Sequence, residues 1–151
     1  MQRGEPAFLD KFVRAECALR AGADAVVELP ALYAVRPAEL YARGGVDILR
    51  AVGADFLSFG SETDDLDFLL SLSGALLDES GEVSRQVREG LRAGKTLARA
   101  RGEALARALG VEPECLNQPN LALAAEYLKR ILETNAPMRP VCVKRTSPYH
   151  A

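Results

Sequence analysis

The chain has 151 residues, close to half of them hydrophobic, enough for one ordinary domain with a packed core. A formal net charge of −2 and a pI near 5.5 exclude a generally basic nucleic-acid or membrane binder but leave room for a local basic patch. No stretch approaches the roughly 18 apolar residues of a membrane span, and the first residues carry no apolar signal core, so the expected setting is the cytoplasm.

Gln2-Arg3-Gly4-Glu5-Pro6 reads as a polar loop entering a helix, with Pro6 suited to the first turn. Phe8, Phe12, Ala15 and Leu19 follow at helical spacing, and Leu9, Val13 and Cys17 widen the stripe. Gly22 stops that helix, and Asp24 leads into Ala25-Val26-Val27-Glu28-Leu29, a short strand ended by Pro30. Pro37 opens the next helix, whose apolar surface comes from Leu40, Tyr41, Val46, Ile48, Leu49 and Val52. Gly53-Ala54-Asp55 then leads into a second strand, Phe56-Leu57-Ser58-Phe59, ended by Gly60. The order helix, Gly-Ala-Asp, strand thus occurs twice. Two αβ units in succession predict parallel strands with helical crossovers, an α/β fold with a Rossmann-like layered sheet.

From Asp64 to Leu109 the pattern is helical throughout. Leu66, Leu69, Leu70, Leu72, Leu76 and Leu77 make one apolar helix; a polar helix runs from Glu82 to Arg92, and another from Lys95 to Leu109, separated by Gly94. This helical insertion, over 64–109, would stand beside the sheet. After a loop with Pro113 and Pro119, a helix spans Leu121 to Leu132, with Leu121, Ala124, Ala125, Leu128 and Leu132 on one side. Val141-Cys142-Val143 forms a third strand ending in Lys144-Arg145. No low-complexity segment or linker divides residues 1–151, so a single domain is expected.

Cys17, Cys115 and Cys142 are scattered, form no C-x-x-C pair and are odd in number, so they read as free thiols. The single histidine, His150, has no partners for a metal cluster or a Ser-His-Asp triad. No metal site and no self-contained acid–base centre is expected, and no residue is assigned as catalytic.

Ligands of open parallel sheets bind outside the carboxyl ends of the strands. At one such exit, Gly60 would let a nucleobase or ribose approach the backbone, although a plain turn with a helix cap explains the stretch as well. At another, Lys144 and Arg145 put two cations where phosphates sit in such folds, and Arg3 and Gly4 would face the same pocket from the opening loop. Asn120, in Asn117-Gln118-Pro119-Asn120, is either a helix cap or a side-chain amide that reads a nucleotide edge. Arg85, Arg88, Arg92, Lys95 and Arg99 recur at three- and four-residue steps. A helix continuous through Gly94 would make them a basic stripe fit for RNA phosphates, and a broken one a solvated face.

Together, QRGEPAFLDKFVRAECALRAGADAVVELP, YAVRPAELYARGGVDILRAVGADFLSFGSE, QPNLALAAEYLK and VKRTSPYH resemble, in order and over essentially the whole chain, the tRNA(Met) cytidine acetate ligase family. The resemblance implies a nucleotidylyltransferase-type (HUP) three-layer domain. It also implies ATP-dependent activation of acetate as acetyl-adenylate, followed by acetylation of the wobble cytidine of elongator tRNA(Met) to N(4)-acetylcytidine. ATP, acetate and tRNA would be the partners, with Mg²⁺ on the phosphates and no membrane. By the same resemblance the ATP contacts fall on Gly60, Asn120 and Arg145; the residues themselves offer Arg3, Gly4 and Lys144 as further pocket contacts and Arg88, Arg92, Lys95 and Arg99 as candidate RNA contacts.

The sequence departs from that pattern at two points. Leu121 stands where the family has a second Asn, and the family's N-terminal strand and H-x-G-H turn are missing. The expectation is therefore a domain incomplete at its N-terminus, without the C-terminal portion that helps hold tRNA, and exposing a sheet edge through which copies could associate. The alternative is a non-catalytic nucleotide- or RNA-binding remnant that needs a partner chain for the missing half-site.

Overall fold

A computed structural model of the chain describes residues 7–78 and 81–146. Arg3, Gly4, Pro6 and His150 lie outside these residues. Two strands, β1 (Phe56–Ser61) and β2 (Arg139–Lys144), pair in parallel, with Phe56 opposite Arg139 and Gly60 opposite Val143. Arg139 N donates to Asp55 O at 2.8 Å and Arg145 N to Ser61 O at 2.8 Å. That parity turns the odd-numbered N–H groups of β2 toward β1, so the N–H that Pro140 lacks would have pointed to the far edge and no ladder bond is lost. Parallel neighbours need a long crossover, and four helices supply it here: α4 (Leu66–Leu77), α5 (Glu82–Arg92), α6 (Leu97–Leu109) and α7 (Pro119–Thr134). The helical segment expected over 64–109 is α4 to α6; Gly94, at φ 79°, does break α5 from α6.

The central helix of the core is α7. Its buried stripe, Leu121, Ala124, Ala125, Leu128 and Ile131, faces β1, α4 and α3 (Ala38–Ala51). On β1 the residues alternate as a half-buried strand should: Leu57, Phe59 and Ser61 are buried, whereas Phe56, Ser58 and Gly60 are exposed. Ser73 of α4 ties the layers together, its Oγ lying 2.9 Å from the Ala125 carbonyl. The Gly44 position of α3 is glycine for a steric reason, since a Cβ there would enter the Tyr33 ring carried by α2 (Ala31–Ala34).

Among the described residues helices cover one face of the sheet. On the other face Phe56, Val141 and Val143 keep 59%, 43% and 55% of their surface exposed. The expected strand Ala25–Leu29 is a correction: the segment has no regular secondary structure and pairs with nothing among the described residues. Strand propensity acts only where a neighbouring strand completes the ladder. Instead, Glu28 is held by Lys11 Nζ at 2.8 Å from α1 (Lys11–Arg20). That helix starts later than Pro6, at a cap in which Asp10 Oδ1 accepts from Phe12 N and Val13 N at 2.8 and 3.0 Å. None of its residues is buried, and its Phe12 is largely exposed. No helix among the described residues is long and apolar enough to cross a membrane.

A charge network joins α3, α6 and α7. Glu126, 7% exposed, accepts from Arg101 at 3.1 Å and lies 3.7 Å from Lys129, itself 6% exposed and bonded to Glu39 at 2.9 Å. Next to it Arg130 makes a two-pronged pair with Asp47, both distances 2.9 Å. Burial pulls the Lys129 ammonium pKa down, but Glu39, Glu126 and Glu133 more than offset this and hold it above its ordinary value.

Two predictions come from this packing. Glu126→Ala would leave the half-exposed Arg101 without its carboxylate and the buried Lys129 with Glu39 and Glu133 alone, and cost about 2 kcal/mol, read as a lower urea midpoint at unchanged slope. The uncovered apolar face predicts self-association that grows with protein concentration; light scattering showing a monomer at every concentration would contradict it.

Candidate functional site

The carboxyl ends of β1 and β2 lie side by side, and α7 aims its N-terminus at them. Three of the residues singled out from sequence meet here. Gly60 and Arg145 are in direct contact: the arginine continues the ladder past β2 through its bond to Ser61 O, and its side chain crosses Gly60. A Cβ added to Gly60 would lie 3.3 Å from Arg145 Cγ and 3.6 Å from Cδ. The glycine lets the Arg145 side chain lie close against the backbone and does not end the strand, which runs on through Ser61. Among the described residues Arg145 forms no ion pair, whereas Lys144 shares its charge with Asp64 at 3.4 Å across an exposed surface.

Asn120 is neither a free amide nor the cap of α7. The helix begins earlier than expected, at Pro119, and its N-cap, Gln118, makes no side-chain capping bond. The capping group comes from across the sheet. Glu62 Oε1 accepts from Asn120 Nδ2 at 2.8 Å and from Asn120 N at 3.2 Å, and Oε2 accepts from Leu121 N at 2.7 Å. Burial would push the Glu62 carboxyl upward, but the Asn120 amide and the backbone N–H groups of residues 62, 120 and 121 hold it below the ordinary carboxylate range. Leu121, at the second Asn position of the family pattern, sends its side chain into the core.

Glu62 is the residue that sequence reasoning missed. A signal was present: a helix opening with Gln-Pro has no side-chain cap of its own and calls for an outside acceptor. Ser61 Oγ, fully buried on the core side of β1, has no hydrogen-bond partner among the described residues. No group of three His, Cys, Asp or Glu residues converges to hold a metal ion among the described residues.

The four candidate RNA contacts do not form one stripe. Arg88 and Arg92 lie on α5, where both are exposed without an ion pair among the described residues; Lys95 is in the turn after Gly94. Lys95 and Arg99 both bond to Glu103, the latter at 3.0 Å, so their charge is locally balanced.

Because the Glu62 carboxyl titrates below its unfolded value, its stabilisation is complete above an unfolded glutamate pKa of about 4.3 and is lost as pH falls through the lower folded value. Glu62→Ala should cost about 1 kcal/mol or more as a lost cap and flatten the acid limb of a stability–pH profile. An unaltered acid limb would show that the contact contributes nothing.

The whole chain, residues 1–151, matches the family model described as HIGH Nucleotidyl Transferase. It is 44% identical to the tRNA(Met) cytidine acetate ligase of Syntrophotalea carbinolica over 99% of its own length and 36% of that protein. With the corresponding protein of Caldanaerobacter subterraneus it shares 41% identity, over 96% of the chain and 37% of the relative. The crystal structure of Thermotoga maritima TmcAL bound with alpha-thio ATP superposes with a TM-score of 0.89 at 37% identity, covering 97% of this chain and 37% of that one. The apo form of the same protein gives a TM-score of 0.90. The chain thus spans a little over a third of the length of these relatives, and its α/β architecture is the HUP nucleotidyltransferase fold. With the match running from its first residue to its last, the chain belongs to the HIGH nucleotidyl transferase family and is similar along nearly all of its length to tRNA(Met) cytidine acetate ligases.

Proposed function

We propose that this chain carries the part of an ATP site that receives the nucleoside and one phosphate cation, within a tRNA(Met) cytidine acetate ligase. The convergence of Gly60, Arg145 and the Glu62–Asn120 pair at the ends of two parallel strands carries this reading. A base or ribose would lie against the glycine backbone, Arg145 would meet phosphate or adenosine, and Asn120 would hydrogen-bond the nucleoside. Lys144 would lie at the rim of this site.

In the whole protein, an acetate oxygen attacks the α-phosphorus of ATP and pyrophosphate leaves. The exocyclic amine of the wobble cytidine then attacks the acetyl carbon, loses a proton and expels AMP. The contribution of these 151 residues is to bind and orient, since their single histidine cannot build an H-x-G-H turn. The described residues offer no ligand set for Mg²⁺, and no step is assigned through it. Exposed Arg88 and Arg92, one α5 turn apart, are the cations we assign to an RNA backbone; Lys95 and Arg99, balanced by Glu103, would add less.

Titration calorimetry with ATP tests the site. Arg145→Ala should weaken binding about tenfold, and Gly60→Val, whose side chain would displace Arg145, by at least as much. Unchanged affinity in both variants would sink the proposal. The chain by itself should show no acetate-dependent pyrophosphate exchange, and exchange above background would overturn the assignment of a purely binding role.

A further inference from the structure

A carboxylate oxygen only accepts hydrogen bonds. The Asn120 atom 2.8 Å from Glu62 Oε1 must therefore be the amide nitrogen, and the amide cannot turn over without setting oxygen against oxygen. The same carboxylate also fixes the backbone, through Asn120 N and Leu121 N, so the Asn120 side chain is anchored at both ends. With Nδ2 directed at Glu62, the carbonyl Oδ1 is the edge turned away from the carboxylate. Both residues are partly buried, so a ligand group of the wrong polarity at Oδ1 would be left without a hydrogen bond.

We infer that Glu62 is a positioning residue that makes Asn120 present its carbonyl, so that the site selects a nucleotide offering a hydrogen-bond donor there, either the 6-amino group of adenine or a ribose hydroxyl. The inference rests on the nucleotide-site reading above. A 6-oxo purine would bring acceptor against acceptor and be disfavoured.

The test is equilibrium binding of ATP, its 6-oxo analogue ITP, 2′-deoxy-ATP and 3′-deoxy-ATP to the full chain, compared with Glu62→Gln and Asn120→Ala. The wild type should prefer ATP about tenfold over the analogue that lacks the recognised donor. A loss confined to ITP identifies the amine, and one confined to a deoxy analogue identifies the hydroxyl. Glu62→Gln keeps the shape but frees the Asn120 amide to turn over, so the preference should shrink to within about twofold. Asn120→Ala should abolish the same preference while leaving Glu62 on Leu121 N and the α7 cap in place; it decides the matter if Glu62→Gln fails to fold. A merely structural role would lower every affinity together and leave the ratios intact. Intact ratios in a folded variant, or equal wild-type binding of all four nucleotides, overturn the inference and leave the site reading standing. Binding of none of them overturns both.

Discussion

The Glu62 carboxylate at the end of β1 is the contact on which the placement of α7 depends. A helix that opens with Gln118-Pro119 has no capping side chain, and Pro119 brings no N–H of its own. The donors left needing a partner are those of Asn120 and Leu121, and the two oxygens of Glu62 meet both. The contact sets the axial position of α7 against the sheet, and the buried stripe of α7 then sets where α3 and α4 pack. A polar interaction at the rim and an apolar core behind it therefore specify the same arrangement, as a well-defined native state requires.

Much of this was legible in the sequence, because much of it is local. The leucine spacing of α4, the break at Gly94 and the apolar run that opens β1 are short-range patterns, and each element lies where its pattern does, although β1 runs on to Ser61. That Gly60 and Arg145 both sit at strand exits was legible too, but nothing in the sequence made those two strands neighbours. What stayed hidden depends on long-range partners. Glu62 and Asn120 are 58 residues apart, and nothing in either stretch specifies the other. The pairing of Lys129 with Glu39 spans 90 residues. Ala25–Leu29 shows the reverse error: a clear local strand signal, but no ladder among the described residues to make it a strand.

The sheet's two faces divide the labour. On the covered side the buried charges are bound into the Arg101–Glu126–Lys129–Glu39 chain. The open side carries Phe56, Val141 and Val143, together with Gly60 and the Arg145 side chain that crosses it. The candidate site straddles this boundary. Its Asn120 half sits on a helix that the core immobilises, with the amide held by Glu62 from the end of β1. Its Arg145 half is an exposed arginine whose backbone alone is tied, through Ser61 O.

That asymmetry bears on what each half contributes to recognition. An anchored amide loses little conformational entropy when it meets a ligand and tolerates little error in the partner's polarity, so it discriminates. A long, exposed guanidinium pays more entropy to settle, but it meets phosphate oxygens over a range of geometries, so it would contribute attraction more than selectivity. Gly60 contributes by the absence of a side chain, which leaves room for the Arg145 side chain against the strand backbone. On the proposed reading, affinity and specificity at this strand end would be separable properties, the first residing in the exit of β2 and the second in a carboxylate that touches no ligand itself.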